Sequence, residues 1–332
     1  MGIKGLTKII TKYSPDSIHS ENLYKLSGKK IAVDASLLIY KQLKGAPNVK
    51  VFRNSNGKIT NHITGLFYKI MNYVSLNIEL IFIFDGKPPD NKQLCIDERK
   101  EKSKKSLEEA NKSISEEEKH KHEKNSLRIT KEIINDVKTL LKLMGIPYIH
   151  PEEGEGEAYA SELCRIGYVD YVLTEDMDTM AYGCPKLIRK CIDKSCKRND
   201  IISIFDYSKI IKDLELNQEE FLDFCILCGC DYCPVVPRIG AITALKLIKK
   251  YKTIDNIVLK NNNYDFPKDY IDQVNCAKYN FKRYKGSINK EDLNIIHSVK
   301  DINGLKDFLI KEIEMNEKRV NNSIKKYSNT YK

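Results

Sequence analysis

Two short apolar runs, KKIAVD at residues 29–34 and ELIFIFD at residues 79–85, each end on an aspartate. Runs of this length read as strands buried on both faces, and a carboxylate in the last position is carried to the carboxyl edge of a parallel sheet. The segment YVDYVLTEDMD at residues 168–178 repeats the pattern. Between the second and third runs, IINDVKTLLKLMG has helical periodicity closed by Gly145, and IPYIH follows as another strand. Strands alternating with helices predict an α/β fold with a mainly parallel central sheet flanked by helices.

At 332 residues and 41% hydrophobic content the chain can bury a substantial core, as one large domain or two smaller ones. From Glu98 to Glu132, 20 of 35 residues are charged. Such a stretch reads either as a solvated helical pair or flexible insertion, or as a mobile element above the sheet edge that a polyanion orders. Further on, Asn217-Gln-Glu-Glu220 opens a helix with a capping box and Gly229 ends it. CDYCPVVPRIG then makes a loop and AITALKLIKKYK a second helix. A helix-loop-helix of this kind can offer amides to phosphates without reading bases, although packed helices joined by a Pro/Gly loop also occur as plain core.

The formal net charge is +10, and residues 246–332, with 19 Lys and Arg against 11 Asp and Glu, hold most of it. That suggests a polyanionic partner. No stretch is apolar for the roughly 18 to 20 residues a membrane span needs, and the first residues lack the apolar core of a signal peptide, so a soluble intracellular protein is expected. Ten cysteines then read as reduced thiols. Cys225, Cys228, Cys230 and Cys233 have a superficially zinc-like spacing, but the first pair sits in the apolar run FLDFCILCG, where cysteine packs as a small hydrophobe.

Seven acids stand at the ends of elements: Asp34, Asp85, Glu155, Glu157, Asp176, Asp178 and Asp231. Glu155 and Glu157 are two apart, about 200° round a helix, so they converge only if Glu155 lies on an extended approach and Glu157 in the first turn; Gly154 and Gly156 permit that approach. Asp176 and Asp178 are also two apart, which at a strand end puts both on one side. A single such pair is ordinarily surface decoration, but an aspartate ending a strongly apolar strand is costly unless paired. Converging carboxylates suit Mg²⁺ or Mn²⁺, and two such ions can hydrolyse a phosphodiester without a His or Ser nucleophile. The six histidines are scattered, apart from His120 and His122 in the charged insertion.

With MGIKGL at the start, VDAS, FDGKPP, MGIPY before the paired glutamates, TEDMD and LCGCDYC, the sequence resembles the flap endonucleases of the eukaryotic and archaeal structure-specific 5′-nuclease family over nearly its whole length. The resemblance implies a PIN-like 5′-nuclease fold in a single nuclease domain, residues 1–332. Its N-terminal part is about 1–105, a helical arch and cap about 88–132, an internal part about 133–252 with a helix-two-turn-helix-like unit about 217–252, and a basic C-terminal segment about 253–332. It further implies that the seven acids hold two Mg²⁺ ions, with Mn²⁺ able to substitute: Asp34, Asp85, Glu155 and Glu157 towards one, Asp176, Asp178 and Asp231 towards the other. Lys92 and Arg99 match the basic pair that contacts the scissile phosphate, and their spacing of seven suits one helix face. Tyr40 matches the aromatic that stacks on the terminal base, and Gly2 begins the segment beside the active site. Arg238, Gly240, Lys246, Lys249 and Lys250 are the implied duplex contacts, with Lys252 adding charge.

The expected activity is 5′ flap endonuclease with 5′-3′ exonuclease action, on branched DNA with a 5′ flap, in replication and base-excision repair. The expected protein is a monomer and nuclear, a mitochondrial pool being the alternative the family leaves open. Two departures stand out. Arg238 replaces a glycine of the family's K⁺-binding turn and the basic pair after it is absent, which puts K⁺ binding in question. The chain stops at SIKKYSNTYK where eukaryotic members continue into a sliding-clamp motif, so either clamp binding is lost or the sequence is truncated. The rival readings are another member of the family, exonuclease or junction-resolving; a PIN-like ribonuclease; and a catalytically silent DNA-binding protein.

Overall fold

A computed structural model gives the fold and describes residues 2–45, 50–89, 92–113, 115–193, 195–196, 198, 200–261 and 263–330. Its strands are β1 (Ile18–Asn22), β2 (Lys30–Asp34), β3 (Glu79–Ile83), β4 (Tyr148–Ile149), β5 (Tyr171–Leu173), β6 (Lys186–Lys190) and β7 (Ile201–Asp206). Two compact units are each assembled from separate segments. The first takes Met1–Lys25, Asp85–Lys92 and Pro151–Leu293, the second Leu26–Phe84, Gln93–His150 and Asn294–Lys332.

In the second unit β2, β3 and β4 run parallel, with Val33 opposite Phe82 and Phe82 opposite Tyr148. Ile31, Ala32, Val33 and the residues from Leu80 to Phe84 are buried, as unbroken apolar runs require. The Asn61–Ser75 helix buries Ile63, Leu66, Phe67, Ile70 and Val74 at three- and four-residue spacing. The Lys131–Leu143 helix starts where Thr130 Oγ1 accepts from the Ile133 amide at 3.3 Å, and it buries Ile133, Val137, Leu140 and Leu141. Each large side chain so buried is worth about 1.5–3 kcal/mol relative to exposure.

The charged insertion is helical, as Gln93–Lys112 and Glu116–Ser126. Ser103 Oγ donates to the Ser126 carbonyl at 2.7 Å, and His122 Nδ1 lies 2.9 Å from a Glu109 carboxylate oxygen. His120 is likewise near Glu116 and Glu123, so this pair of histidines faces glutamates of its own helix and of the Gln93–Lys112 helix.

In the first unit β5 and β6 are parallel, whereas β6–β7 and β7–β1 are antiparallel. The parallel sheet of the sequence reading therefore carries an antiparallel edge, as many mixed α/β sheets do. β7 also ends on an aspartate, yet Asp206 spends its carboxylate capping the next helix, accepting from the Ser208 and Lys209 amides. The expected helix-loop-helix is present as Gln218–Cys228 and Ala241–Tyr251, opened by the Asn217–Glu220 capping box. Among the described residues no helix is long and apolar enough to cross a membrane.

Candidate metal centre

Six of the seven acids lie in the first unit. Asp85 follows the last buried residue of the ELIFIFD run, and its Oδ1 accepts from the Gly156 amide at 2.7 Å, tying it to the start of the Gly156–Arg165 helix. Glu155 is the residue before that helix, with extended dihedrals of −86° and 138°, and Glu157 is in its first turn. Gly154, at φ +86°, supplies the approach. Gly156 is already helical and contributes its amide instead.

Gly86 and Gly154 hold this corner together. Gly86 N–H donates to the Gly154 carbonyl at 2.9 Å, and Gly154 N–H to that of Lys87 at 2.8 Å. A Cβ on Gly86 would lie 2.6 Å from both the Glu153 amide nitrogen and the Pro151 carbonyl oxygen. Since both are backbone, Gly86→Ala is expected to lower stability by about 1–3 kcal/mol. A denaturant melt checks this; an unchanged midpoint would mean the corner relaxes freely.

Asp176 and Asp178 reach the site differently from the reading that places both on one side of a strand end. β5 stops at Leu173, and TEDMD is a turn. Thr174 Oγ1 accepts from the Asp176 amide at 3.1 Å, and Asp176 Oδ1 from the Asp178 amide at 3.2 Å. These short polar loops aim both carboxylates inward and start the Asp178–Ala181 helix. One oxygen each of Glu157, Asp176 and Asp178 lies within 4.8 Å of the others. Asp231 sits after the Gln218–Cys228 helix in a tight loop closed by the Cys230–Cys233 bridge pair, beyond Gly229 at φ +104°. Gly2, at φ +88°, packs against this cluster: a Cβ there would fall 1.9 Å from Asp176 Oδ1 and 2.9 Å from Asp178 Oδ1.

Lys92 is the cation of the cluster. It is buried, with Nζ 2.8 Å from Glu155 and 3.6 Å from Asp231. Burial disfavours its charge, but Glu155, Glu157 and Asp231 together outweigh burial and hold the ammonium above its ordinary pKa. Nζ also lies 5.7 Å from the Tyr232 ring centroid, and the Tyr232 and Tyr182 hydroxyls are 2.7 Å apart. Burial pushes both hydroxyls up, so both are neutral. Neither tyrosine stands out in the sequence; only the place of Tyr232 directly after Asp231 could have drawn attention to it.

Three of the carboxylates resist ionisation. Burial raises Asp178 far above the usual carboxylate range and Asp176 and Asp231 add to it; burial likewise raises Asp176 and Glu155. Asp178 Oδ1 is buried without a hydrogen-bond partner among the described residues. Two charges 4.8 Å apart repel by about 3–4 kcal/mol at an effective dielectric constant of 20, so this cluster fits cations. Its donors are all oxygen, the chemistry of Mg²⁺ and Mn²⁺. The cysteines do not compete: Cys225, Cys228 and Cys233 are buried, and burial pushes the Cys233 thiol up to about 12.

Asp34 belongs to the second unit, where it caps the Ala35–Lys44 helix, accepting from the Leu37 amide at 3.1 Å. Tyr40, in that helix, is half-buried under Lys44 Nζ, 4.6 Å from its ring centroid. Arg99 is exposed on the Gln93–Lys112 helix, and Lys92 is the residue directly before that helix. Arg238 adopts φ +68°, a conformation that favours glycine, and its guanidinium donates to the Asn263 carbonyl at 2.8 Å. Gly240 is extended with open space around it. Lys246 and Lys250 are exposed, Lys249 pairs with Glu215 at 2.7 Å, and Lys252 pairs with Glu220 at 3.4 Å.

The XPG N-terminal domain model matches residues 1–106 and the XPG I-region model residues 145–231. The chain is 36% identical over 333 residues to Flap endonuclease 1 of Glycine max, covering 98% of this chain and 86% of that protein. To Flap endonuclease 1 of Entamoeba histolytica it is 34% identical over 343 residues, covering 99% and 88%. Its structure matches flap endonuclease-1 from Methanococcus jannaschii with a TM-score of 0.70 at 27% identity, over 95% and 97% of the two chains. It also matches the catalytic core of Rad2 in complex with DNA substrate, with a TM-score of 0.69 at 22% identity over 98% and 100%, a likeness of fold alone.

Proposed function

Because the chain belongs to the XPG-type family of flap endonucleases, we propose that it is a structure-specific 5′ flap endonuclease with 5′-3′ exonuclease activity. It hydrolyses a DNA phosphodiester near the junction of single strand and duplex, in replication and base-excision repair. The observation that carries this reading is the buried carboxylate cluster of Glu157, Asp176 and Asp178, with Lys92 as the cation beside it. We assign Mg²⁺ to the cluster, two ions with Mn²⁺ able to substitute, held by Asp85, Glu155, Glu157, Asp176, Asp178, Asp231 and, by resemblance, Asp34. Such ions, when bound, supply an activated water and neutralise the leaving oxygen.

The chain's own groups orient the substrate. The Lys92 ammonium, kept charged by its carboxylate neighbours, attracts the scissile phosphate. Gly2 leaves room against Asp176 and Asp178 that a side chain would fill. The two charged helices between Gln93 and Ser126 serve as the arch for the 5′ single strand, with Arg99 on an exposed face, and Tyr40 stacks on the terminal base. The helix-loop-helix grips duplex phosphates through Arg238, the amides near Gly240, Lys246, Lys249 and Lys250. Arg238 occupies the turn the family uses for K⁺, and no K⁺ site is proposed there. The protein acts in the nucleus.

Cleavage of a double-flap substrate, blunt duplex, single strand and RNA, each with Mg²⁺ and then EDTA, tests this function. The flap should be cut fastest, near its junction, with all cleavage lost in EDTA and flap affinity falling steeply with salt. Equal rates on flap, duplex and single strand would refute it.

A further inference from the structure

We propose that Tyr182 is a positioning residue: its hydrogen bond to Tyr232 fixes the aromatic platform that holds the Lys92 ammonium over the reaction site. The inference rests on the catalytic role given to Lys92 above. Lysine is a poor choice for a fixed charge, because its four-carbon stem has many rotamers and an ammonium has no preferred plane. Here the ammonium is confined by Glu155 at 2.8 Å, by Asp231 at 3.6 Å, and by the Tyr232 ring, whose centroid at 5.7 Å is within cation–π range.

The ring can direct the ammonium only if it is itself fixed. Its hydroxyl is 2.7 Å from that of Tyr182. Both tyrosines are buried, each 5% exposed, so each hydroxyl needs a partner and the two supply one another. Phe281 closes the arrangement, with its ring 5.1 Å from that of Tyr232 and 5.0 Å from that of Tyr182. Tyr182 directly follows the helix begun by Asp178, and Tyr232 directly follows Asp231. The hydrogen bond is therefore a strut between two acid-bearing segments, and its free end bears on Lys92.

The test is a double-mutant cycle on the full chain with saturating Mg²⁺, reading single-turnover cleavage rate, flap dissociation constant and melting temperature. Tyr182→Phe keeps the ring and its packing. It should slow cleavage by about fivefold, the order of one lost hydrogen bond, with flap affinity within about twofold of wild type. In a Lys92→Met background the same substitution should cost nothing further, because the residue through which Tyr182 acts is gone. Tyr232→Phe should match Tyr182→Phe, and the pair together should equal either alone. An equal slowing by Tyr182→Phe with and without Lys92 would overturn the inference and assign the strut to the acids; so would additive losses for the two tyrosines, or no loss. If Lys92→Met itself cleaved at the full rate, the role given to Lys92 would fail first, a separate and visible outcome. Should the Lys92 background melt below assay temperature, the tyrosine pair decides alone.

Discussion

Asp178→Asn is expected to cut the rate of flap cleavage by about a thousandfold or more while making the metal-free protein more stable. The loss follows from the site: a divalent ion contributes several kcal/mol to phosphodiester hydrolysis, and about 4 kcal/mol is a factor of a thousand. The gain follows from burial. Asp178 is 2% exposed, and its carboxyl is pushed far up by burial and by the charges of Asp176 and Asp231. A raised folded-state pKa means that the folded chain holds a proton the unfolded chain releases. The associated stability is present below the unfolded value of about 4 and is lost as pH rises through the folded value, so at neutral pH it is diminished.

Asparagine does not titrate and escapes that loss. At about 2.1 cal/mol/K per residue, a gain of 1 kcal/mol would raise the melting temperature of a 332-residue chain by about 1–2 °C. Mg²⁺ should reverse the order, stabilising the wild type by mass action and the variant far less. Thermal melts with EDTA and with Mg²⁺, alongside cleavage rates, check both halves. Equal Mg²⁺ stabilisation of both proteins would remove Asp178 from the metal centre.

Lys92→Met should also be nearly inactive, with the opposite effect on stability. A single electrostatic contact of this kind is worth about 10²–10³ in rate, so a loss of about a hundredfold is expected in single-turnover cleavage, with flap affinity changed by less than about threefold. Removing the buried ammonium leaves Glu155 and Asp231 without their cation, and breaking a buried ion pair typically costs about 3–5 kcal/mol. The metal-free variant should therefore melt well below wild type and recover in part with Mg²⁺. Joint replacement of Lys92 and Arg99 should likewise slow cleavage far more than it weakens binding. Equal losses in rate and affinity would make both residues ordinary phosphate contacts.

β2 and β3 were legible in the sequence because they are buried on both faces and so appear as unbroken apolar runs. β1, IHSEN, was not, since its burial is partial and its residues polar. The aspartate at a strand end proved an ambiguous sign. Asp34 and Asp206 both end strands and both cap the following helix, and only the motif around Asp34 separates them. The Glu155–Glu157 geometry could be derived from helix angles and one positive-φ glycine. That of Asp176 and Asp178 could not, because a turn of side-chain-to-backbone hydrogen bonds, rather than the pleat, orients them.

Lys92 and Arg99 show the limit of spacing arguments. Seven residues suit one helix face, but spacing does not say where the helix starts, and Lys92 stands directly before its first residue. Tyr182 left no local signal, since its partner is 50 residues away and the pairing is purely tertiary. The charge balance was ambiguous for a physical reason: buried acids such as Glu157, Asp176 and Asp178 count against the basic residues, so the net +10 understates the basic excess of the rest of the chain.

The most direct measurement is single-turnover cleavage of a double-flap DNA by the full chain as Mg²⁺ is titrated from an EDTA-treated start. No cleavage is expected without the ion, with a rate that rises more steeply than first order in Mg²⁺ before saturating and a cut confined to the flap junction. Cleavage at the full rate in EDTA, or cuts placed without regard to the junction, would contradict it.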